Sequence, residues 1–139
     1  MKTATDELLS VATALSIRSW LLALGRGLMS LLFIWSGITQ LLHPGATTQY
    51  FASVHVPAPP LALWLSIAVH VLGGIALLVG IRTRAVAALL ALFTLGTAFG
   101  VHLAAGDAGN LLHFYKNLAI AGGLLYIVVH GAGGVSIER

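Results

Sequence analysis

Long stretches of this chain carry apolar side chains at almost every position, without the alternation that marks a half-buried strand. Four of them reach the roughly 20 residues that a helix needs to cross about 30 Å of hydrocarbon. They are residues 21–42, 61–80, 85–105 and 111–131, and Arg26 and Lys116 are the charges placed inside them. Lipid offers the backbone no hydrogen-bond partners, so each stretch is predicted to be helical. A membrane barrel would need short strands of alternating polarity instead. A few residues join the second stretch to the third and the third to the fourth, which makes those neighbours antiparallel. The predicted fold is all-α: an integral membrane four-helix antiparallel bundle, built by residues 20–134 as one domain.

Two segments lie outside the spans. Residues 5–18 set Leu8, Val11, Ala12 and Leu15 at helical spacing among Asp6, Glu7 and Arg18. That is the pattern of a helix lying in a membrane interface. The first apolar run exceeds the 7–15 residues of a signal-peptide core, so it reads as a retained span. Residues 1–19 are accordingly read as a cytoplasmic N-terminal segment and residues 135–139 as a cytoplasmic tail. Pro44, Pro57, Pro59 and Pro60 break the chain near both ends of the loop after span one. Between them, Thr47 to Val54 is predicted to form one or two helical turns on the membrane surface.

Composition supports the pattern and removes its alternatives. Of 139 residues, 58% are hydrophobic and 8% charged, against about 45–50% and 25% in soluble domains. Seven Lys and Arg with four Asp and Glu cannot coat a soluble globule of this size. Disorder is excluded by the same numbers, because disordered chains are poor in apolar residues. The net charge is +3. The basic residues Lys2, Arg18, Arg26, Arg82, Arg84, Lys116 and Arg139 do not cluster as a nucleic-acid surface would require. They fall mostly on the N-terminus, the loop between spans two and three, and the C-terminus, so both termini are predicted to face the cytoplasm. The chain has no cysteine, which excludes disulfides, thiolate metal sites and c-type haem attachment.

Polar groups at membrane depth are costly and point to function. Arg26 lies about 8 Å into span one and His70 about 13 Å into span two, at 1.5 Å per residue. Arg26 either snorkels to the interface or faces inward as an anion or substrate ligand. His70 reads as a neutral histidine bonded to another helix, or as a group that binds a ligand or handles protons. The outer half of the bundle is richer. Ser36, Thr39 and Gln40 end span one, Thr97 and His102 sit on span three, and His113, Lys116 and Asn117 open span four. The last three share one helical face. If that face points inward, these groups meet in a polar pocket open to the outer side. Trp35, Trp64, Tyr50, Phe114 and Tyr115 lie at the same level and read mainly as an interfacial aromatic belt. No metal site is expected, since His102 and His113 are the only intramembrane histidines of matching depth and no HxxxH or HExxH occurs on a span. Gly96 and Gly100 form a GxxxG on span three, read first as packing within the bundle and second as a homo-oligomer face.

Four motifs in order resemble the DoxX family of small four-span bacterial inner-membrane proteins. They are Arg26 with Trp35-Ser36-Gly37 and Leu41-Leu42-His43-Pro44; Val56-Pro57-Ala58-Pro59; Leu78-Val79-Gly80 with Arg82-Thr83-Arg84; and Phe114-Tyr115-Lys116-Asn117-Leu118 followed by Gly131 to Ile137. The resemblance covers roughly residues 20–139. It implies the four-span fold, an inner-membrane location, and a loose link to quinone-dependent redox assemblies. Two positions depart from the family pattern: His70 stands where many members carry Glu, and Gln40 where the span-one motif carries Lys.

The resulting expectation is a redox-linked accessory subunit, more an assistant to a redox-enzyme partner than an enzyme on its own. It would bind a quinone-like or other small amphipathic ligand, with Arg26, Gln40, His70, His102, His113, Lys116 and Asn117 as candidate ligand-binding residues. The alternatives are a non-catalytic scaffold, in which those groups tie the helices together, and a small transporter. A transporter calls for internal repeats or broken helices, and Gly73–Gly74 is the single candidate break.

Overall fold

The computed structural model describes residues 3–137. The topology signals Lys2 and Arg139, and the last two residues of the tail, lie outside the described residues.

Five α-helices account for most of the chain. They are α1 (Ala4–Leu42), α2 (Pro44–Ser53), α3 (Pro59–Val79), α4 (Thr83–Thr97), which continues as a π-helical segment (Ala98–Leu103), and α5 (Ala108–His130). Helices α1, α3, α4 with its π extension, and α5 are each long and apolar enough to cross a membrane. They fall on the four predicted spans.

Helix α1 runs without a break for 39 residues, about 58 Å at 1.5 Å per residue. That is nearly twice the hydrocarbon thickness. The amphipathic segment over residues 5–18 is therefore helical as its spacing predicts, but it is continuous with span one. Thr3 and Asp6 start it with a reciprocal capping box. Leu8, Leu9, Val11 and Leu15 on this extension are all exposed. Helix α2 is longer than predicted and begins at Pro44, whose fixed φ suits a first helical position.

The four spans pair unevenly. Helix α1 packs chiefly on α3, and α4 with its π extension chiefly on α5. Glycine sets the first of these approaches. A Cβ on Gly74 of α3 would fall 3.1 Å from the Ile34 backbone nitrogen, and one on Gly37 of α1 would fall 3.2 Å from that of Val71. The two backbones thus meet reciprocally, which is how helices associate in lipid. Phe33, Leu77, Ala87, Leu90, Ala91, Leu124 and Ile127 then join all four spans in a closed apolar core. Gly123 lets α5 sit against the Met29 side chain of α1. Gly96 and Gly100 are not part of this packing: both are exposed, and a Cβ on either would meet nothing within 4 Å. The expectation that this GxxxG packs inside the bundle is corrected. On these turns the side of the helix facing α3 and α5 is taken by Thr94, Thr97 and Ala98 instead.

The start of α1 and the end of α5 lie at one end of the bundle, called the terminal end below. There the residues after α5 fold back over it. The Arg26 guanidinium donates to the carbonyl oxygens of Ala132 and of Val135, the latter at 2.6 Å. The Ile137 amide donates to Val79 O at 3.1 Å. Gly80, at φ +78, lies where a Cβ would strike the Ser136 side chain. The choice left open for Arg26 is resolved: it is 5% exposed and faces inward.

Candidate functional site

The opposite end of the bundle is hollow. A cavity of about 390 Å³ lies between the α1–α3 pair and the α4–α5 pair, roofed by α2. That is a usual volume for a small-molecule site. Ser36 and Gln40 reach it from α1, Ser66 and His70 from α3, Thr94, Thr97 and His102 from α4 and its extension, and Lys116 and Asn117 from α5. Phe33, Leu65, Phe93, Val101 and Ile120 supply apolar wall, and Thr47, Tyr50 and Phe51 of α2 close the top. Five of the seven candidate residues therefore line one cavity: Gln40, His70, His102, Lys116 and Asn117.

The other two do not. Arg26 sits at the terminal end and is committed to the tail carbonyls. Its two terminal nitrogens donate where backbone returns to the bundle, a partner that no spacing within span one reveals, while Nε is buried without a partner among the described residues. His113 is exposed and stands on the rim. Its ring lies 5.2 Å from that of His102, and its Nδ1 is 3.1 Å from the Lys116 amine.

At the deep end, the His70 ring lies between Phe33 and Phe93, with centroids 5.7 and 5.3 Å away. Its Nδ1 is 2.8 Å from the Ser66 carbonyl oxygen of its own helix and 3.1 Å from Ser66 Oγ. Asn117 is buried and donates through Nδ2 to Thr97 Oγ1 at 3.1 Å, and Thr97 donates to Thr94 O at 2.9 Å. Gln40 Oε1 is buried with no hydrogen-bond partner among the described residues.

The roof is held by a network that starts at a helix cap. Asp107 accepts from the Asn110 amide at 3.0 Å, capping α5, and from Asn110 Nδ2 at 2.6 Å. A carboxylate accepts only, so this second contact fixes which end of the Asn110 amide is oxygen. Asn110 Oδ1 therefore accepts from the Tyr50 hydroxyl at 2.6 Å and from His102 Nδ1 at 2.9 Å. Burial first, and the Asp107 charge second, push the Tyr50 hydroxyl above its ordinary pKa. The hydrogen bonds from Asn110 hold Asp107 below the ordinary carboxylate value. Through this network α2 is tied to the α4–α5 turn across the cavity mouth.

Sequence reasoning placed Tyr50 in the aromatic belt and did not single out Asn110, Ser66, Phe33 or Phe93. The Asp-x-x-Asn spacing at 107–110 is a cap signal that points to Asn110. The belt itself is present: Trp35, Trp64 and Tyr115 are exposed at the hollow end, and Trp20 and Tyr126 at the terminal end. The π-helical segment carries Val101 and His102 into the lining. Such segments are frequent at functional sites. Among the described residues, no three His, Asp or Glu side chains gather as a metal site.

Comparison with known proteins agrees with this architecture. Residues 21–103 match the DoxX family. The chain is 36% identical over 127 residues to the inner membrane protein YphA of Escherichia coli K12, covering 88% of this chain and 91% of that protein. It is 40% identical over 114 residues to the inner membrane protein YqjF of the same organism, covering 82% and 86%. No solved structure matches. Four apolar helices and inner-membrane relatives make this a multi-pass bacterial inner-membrane protein, and the chain belongs to the DoxX family.

Proposed function

We propose that the protein is a redox-linked accessory subunit that binds a quinone-like, flat amphipathic ligand in its hollow half. The observation that carries this reading is the cavity. It has apolar and aromatic walls, a few convergent polar groups, and a place within a membrane bundle where such a ligand already partitions. With no cysteine for an iron–sulfur or c-type haem centre, electron transfer falls to a redox-enzyme partner. Both termini face the cytoplasm in this reading, and α2 faces the periplasm. A reporter fused after Arg139 tests that orientation, and a periplasmic signal overturns it.

The ligand is tested by purifying the protein in mild detergent and extracting bound small molecules for mass spectrometry. A stoichiometric quinone that is lost in Lys116→Ala and His113→Ala supports the proposal. Protein that carries no small molecule, with those variants folding unchanged, sinks it.

One observation favours a second reading, a non-catalytic scaffold. Gly96 and Gly100 leave an open small-residue face on the membrane side of α4 and its π extension, where another helix can approach closely. Cysteines introduced on that face, which cross-link two copies in native membranes, would favour it. Absence of cross-links at every position tried counts against it.

A further inference from the structure

The protonated edge of His70 follows from its partners. A backbone carbonyl oxygen has no hydrogen to give. The 2.8 Å approach of His70 Nδ1 to the Ser66 carbonyl is therefore a bond that Nδ1 donates. In the neutral ring the other nitrogen then carries the lone pair, because the partner of one nitrogen sets the state of the other. Nε2 lies on the ring edge away from that carbonyl, on a residue that lines the cavity, and makes no hydrogen bond among the described residues. The walls beside it are the rings of Phe33 and Phe93, which offer no conventional donor. The deep end of the pocket is thus an aromatic slot with an unfilled acceptor. The mouth is the reverse, since Lys116 brings an ammonium donor to the lining.

We propose that His70 Nε2 receives a hydroxyl hydrogen from an aromatic ligand, so that the cavity selects a phenol-type ring, such as a reduced quinol, over its oxidised or O-methylated counterpart. This rests on the reading that the cavity binds a flat aromatic molecule, and it adds which form is held. A quinone carbonyl at this position would set one acceptor against another. A methyl ether would leave the acceptor unpaired as well. A site built to hydrogen-bond a ligand hydroxyl rejects the analogue that lacks it, because the buried polar group stays unsatisfied.

The test uses the full chain in lipid nanodiscs, with empty nanodiscs as the partition control. Three probes are titrated: 2,3,5-trimethylhydroquinone, its dimethyl ether, and trimethyl-1,4-benzoquinone. The hydroquinone is expected to bind about tenfold tighter than the other two, the ratio that follows from one unsatisfied buried hydrogen bond. His70→Phe keeps the ring stack and removes the acceptor, and should bring the three affinities together. His70→Gln restores a carbonyl acceptor and should restore part of the preference. Ser36→Phe fills the cavity and should abolish binding of all three. Equal binding of the probes to the unmodified protein, abolished by Ser36→Phe, overturns the hydroxyl selection and leaves the cavity reading standing. A preference that survives His70→Phe also overturns the assignment. Binding that is absent, or indifferent to Ser36→Phe, overturns the cavity reading itself.

Discussion

Toward the terminal end of the bundle, Leu77, Leu90, Leu124 and Ile127 meet in a closed apolar core, with Phe33 of α1 standing between that core and the cavity. Roughly two turns further along, at 3.6 residues per turn, the same four helices stand around a cavity lined by Ser66, His70, Thr94, Thr97 and Asn117. Both regions are made of long apolar helices, so hydrophobicity does not separate them. Close approach does. In lipid, helices gain little by burying apolar surface on one another and associate through tight contact of small residues. Gly73, Gly74 and Gly123 sit against Leu90, Ile34 and Met29 in or beside the solid half. In the hollow half, Gly37 carries the α1–α3 contact on to the level of His70 and Val71, so each helix pair stays closed there, but Gly96 and Gly100 point away from the bundle and do not draw the two pairs together. The polar groups there do little to draw the helices together, because His70 and Thr97 bond carbonyls of their own helices. Asn117 to Thr97 is a cross-helix bond, and it joins the α4–α5 pair that is already in contact.

The largest effects should come from opening the solid half. Arg26→Ala removes two charge-assisted hydrogen bonds to the tail, each worth about 1.5–3 kcal/mol. The expected loss is about 3 kcal/mol, read as a lower unfolding midpoint in detergent together with new protease cleavage after residue 130. Arg26→Lys keeps the charge without the planar fork and should recover only part of it. An unchanged midpoint in Arg26→Ala would mean that the tail contributes nothing to closure of this end. Leu124→Ala comes next. Leu124 is fully buried in the four-span core, and truncation leaves a void costing about 2 kcal/mol. The value lies at the low end of that range because the unfolded reference in lipid already shelters the side chain.

The contrast also sets what was legible in the sequence. The spans were legible because helix length and apolarity are local properties that a bilayer enforces. Gln40, His102, Lys116 and Asn117 were legible as a group because depth along a helix and its 3.6-residue spacing are read directly from position. What was not legible depends on contacts between distant segments. Arg26 meets carbonyls more than 100 residues away, and its bonds belong to a chain reversal after Gly131 that no periodicity signals. The glycine pair Gly37 and Gly74 looks like any other pair in a glycine-rich chain until the helices are placed. Gly96 already faces outward in the regular part of α4, before the π-helical segment begins, so the orientation of the GxxxG face is set by which side of α4 meets its neighbours, a tertiary choice that the spacing does not encode. The cavity is a property of how two helix pairs diverge, and no single residue encodes it.

A substitution that fills the hollow half should separate stability from binding. Asn117→Leu removes one hydrogen bond, whose acceptor Thr97 Oγ1 keeps its own bond to Thr94 O. It adds apolar volume beside a space that can take it. The unfolding midpoint should move by the equivalent of less than about 1 kcal/mol, while affinity for a quinone-like ligand falls at least about tenfold through lost volume and a lost donor. Destabilisation as large as that of Leu124→Ala would show that the cavity wall is as tightly determined as the core, and the distinction between the halves would fail.

The smallest effect concerns the roof over the cavity and is set by pH. Asp107 is exposed, and its pKa is held below the ordinary 3.8, first by the hydrogen bond from the Asn110 side chain and then by backbone amides. A carboxyl whose pKa is lower folded than unfolded stabilises the structure above the unfolded value, and that contribution is lost as pH falls through the folded value. Tyr50 has the opposite sign. Its pKa is raised above 10.0, so its contribution is complete below the unfolded value and is lost as pH climbs through the folded one. The link from α2 to the α4–α5 turn should therefore be firm across the neutral range and loosen at both extremes. Amide hydrogen exchange at Asn110 and Leu111, corrected for intrinsic rates, should accelerate as pH falls below the ordinary carboxylate value of 3.8 and through the lower folded value, where the cap is protonated. The solid half should show no change over the same range, since its core holds no carboxylate. Asp107→Asn keeps an oxygen that can cap the helix but cannot titrate, and should flatten the acid limb while leaving the alkaline limb of Tyr50 in place. An acid limb that persists in Asp107→Asn would assign the loosening to another group and detach the roof from its cap.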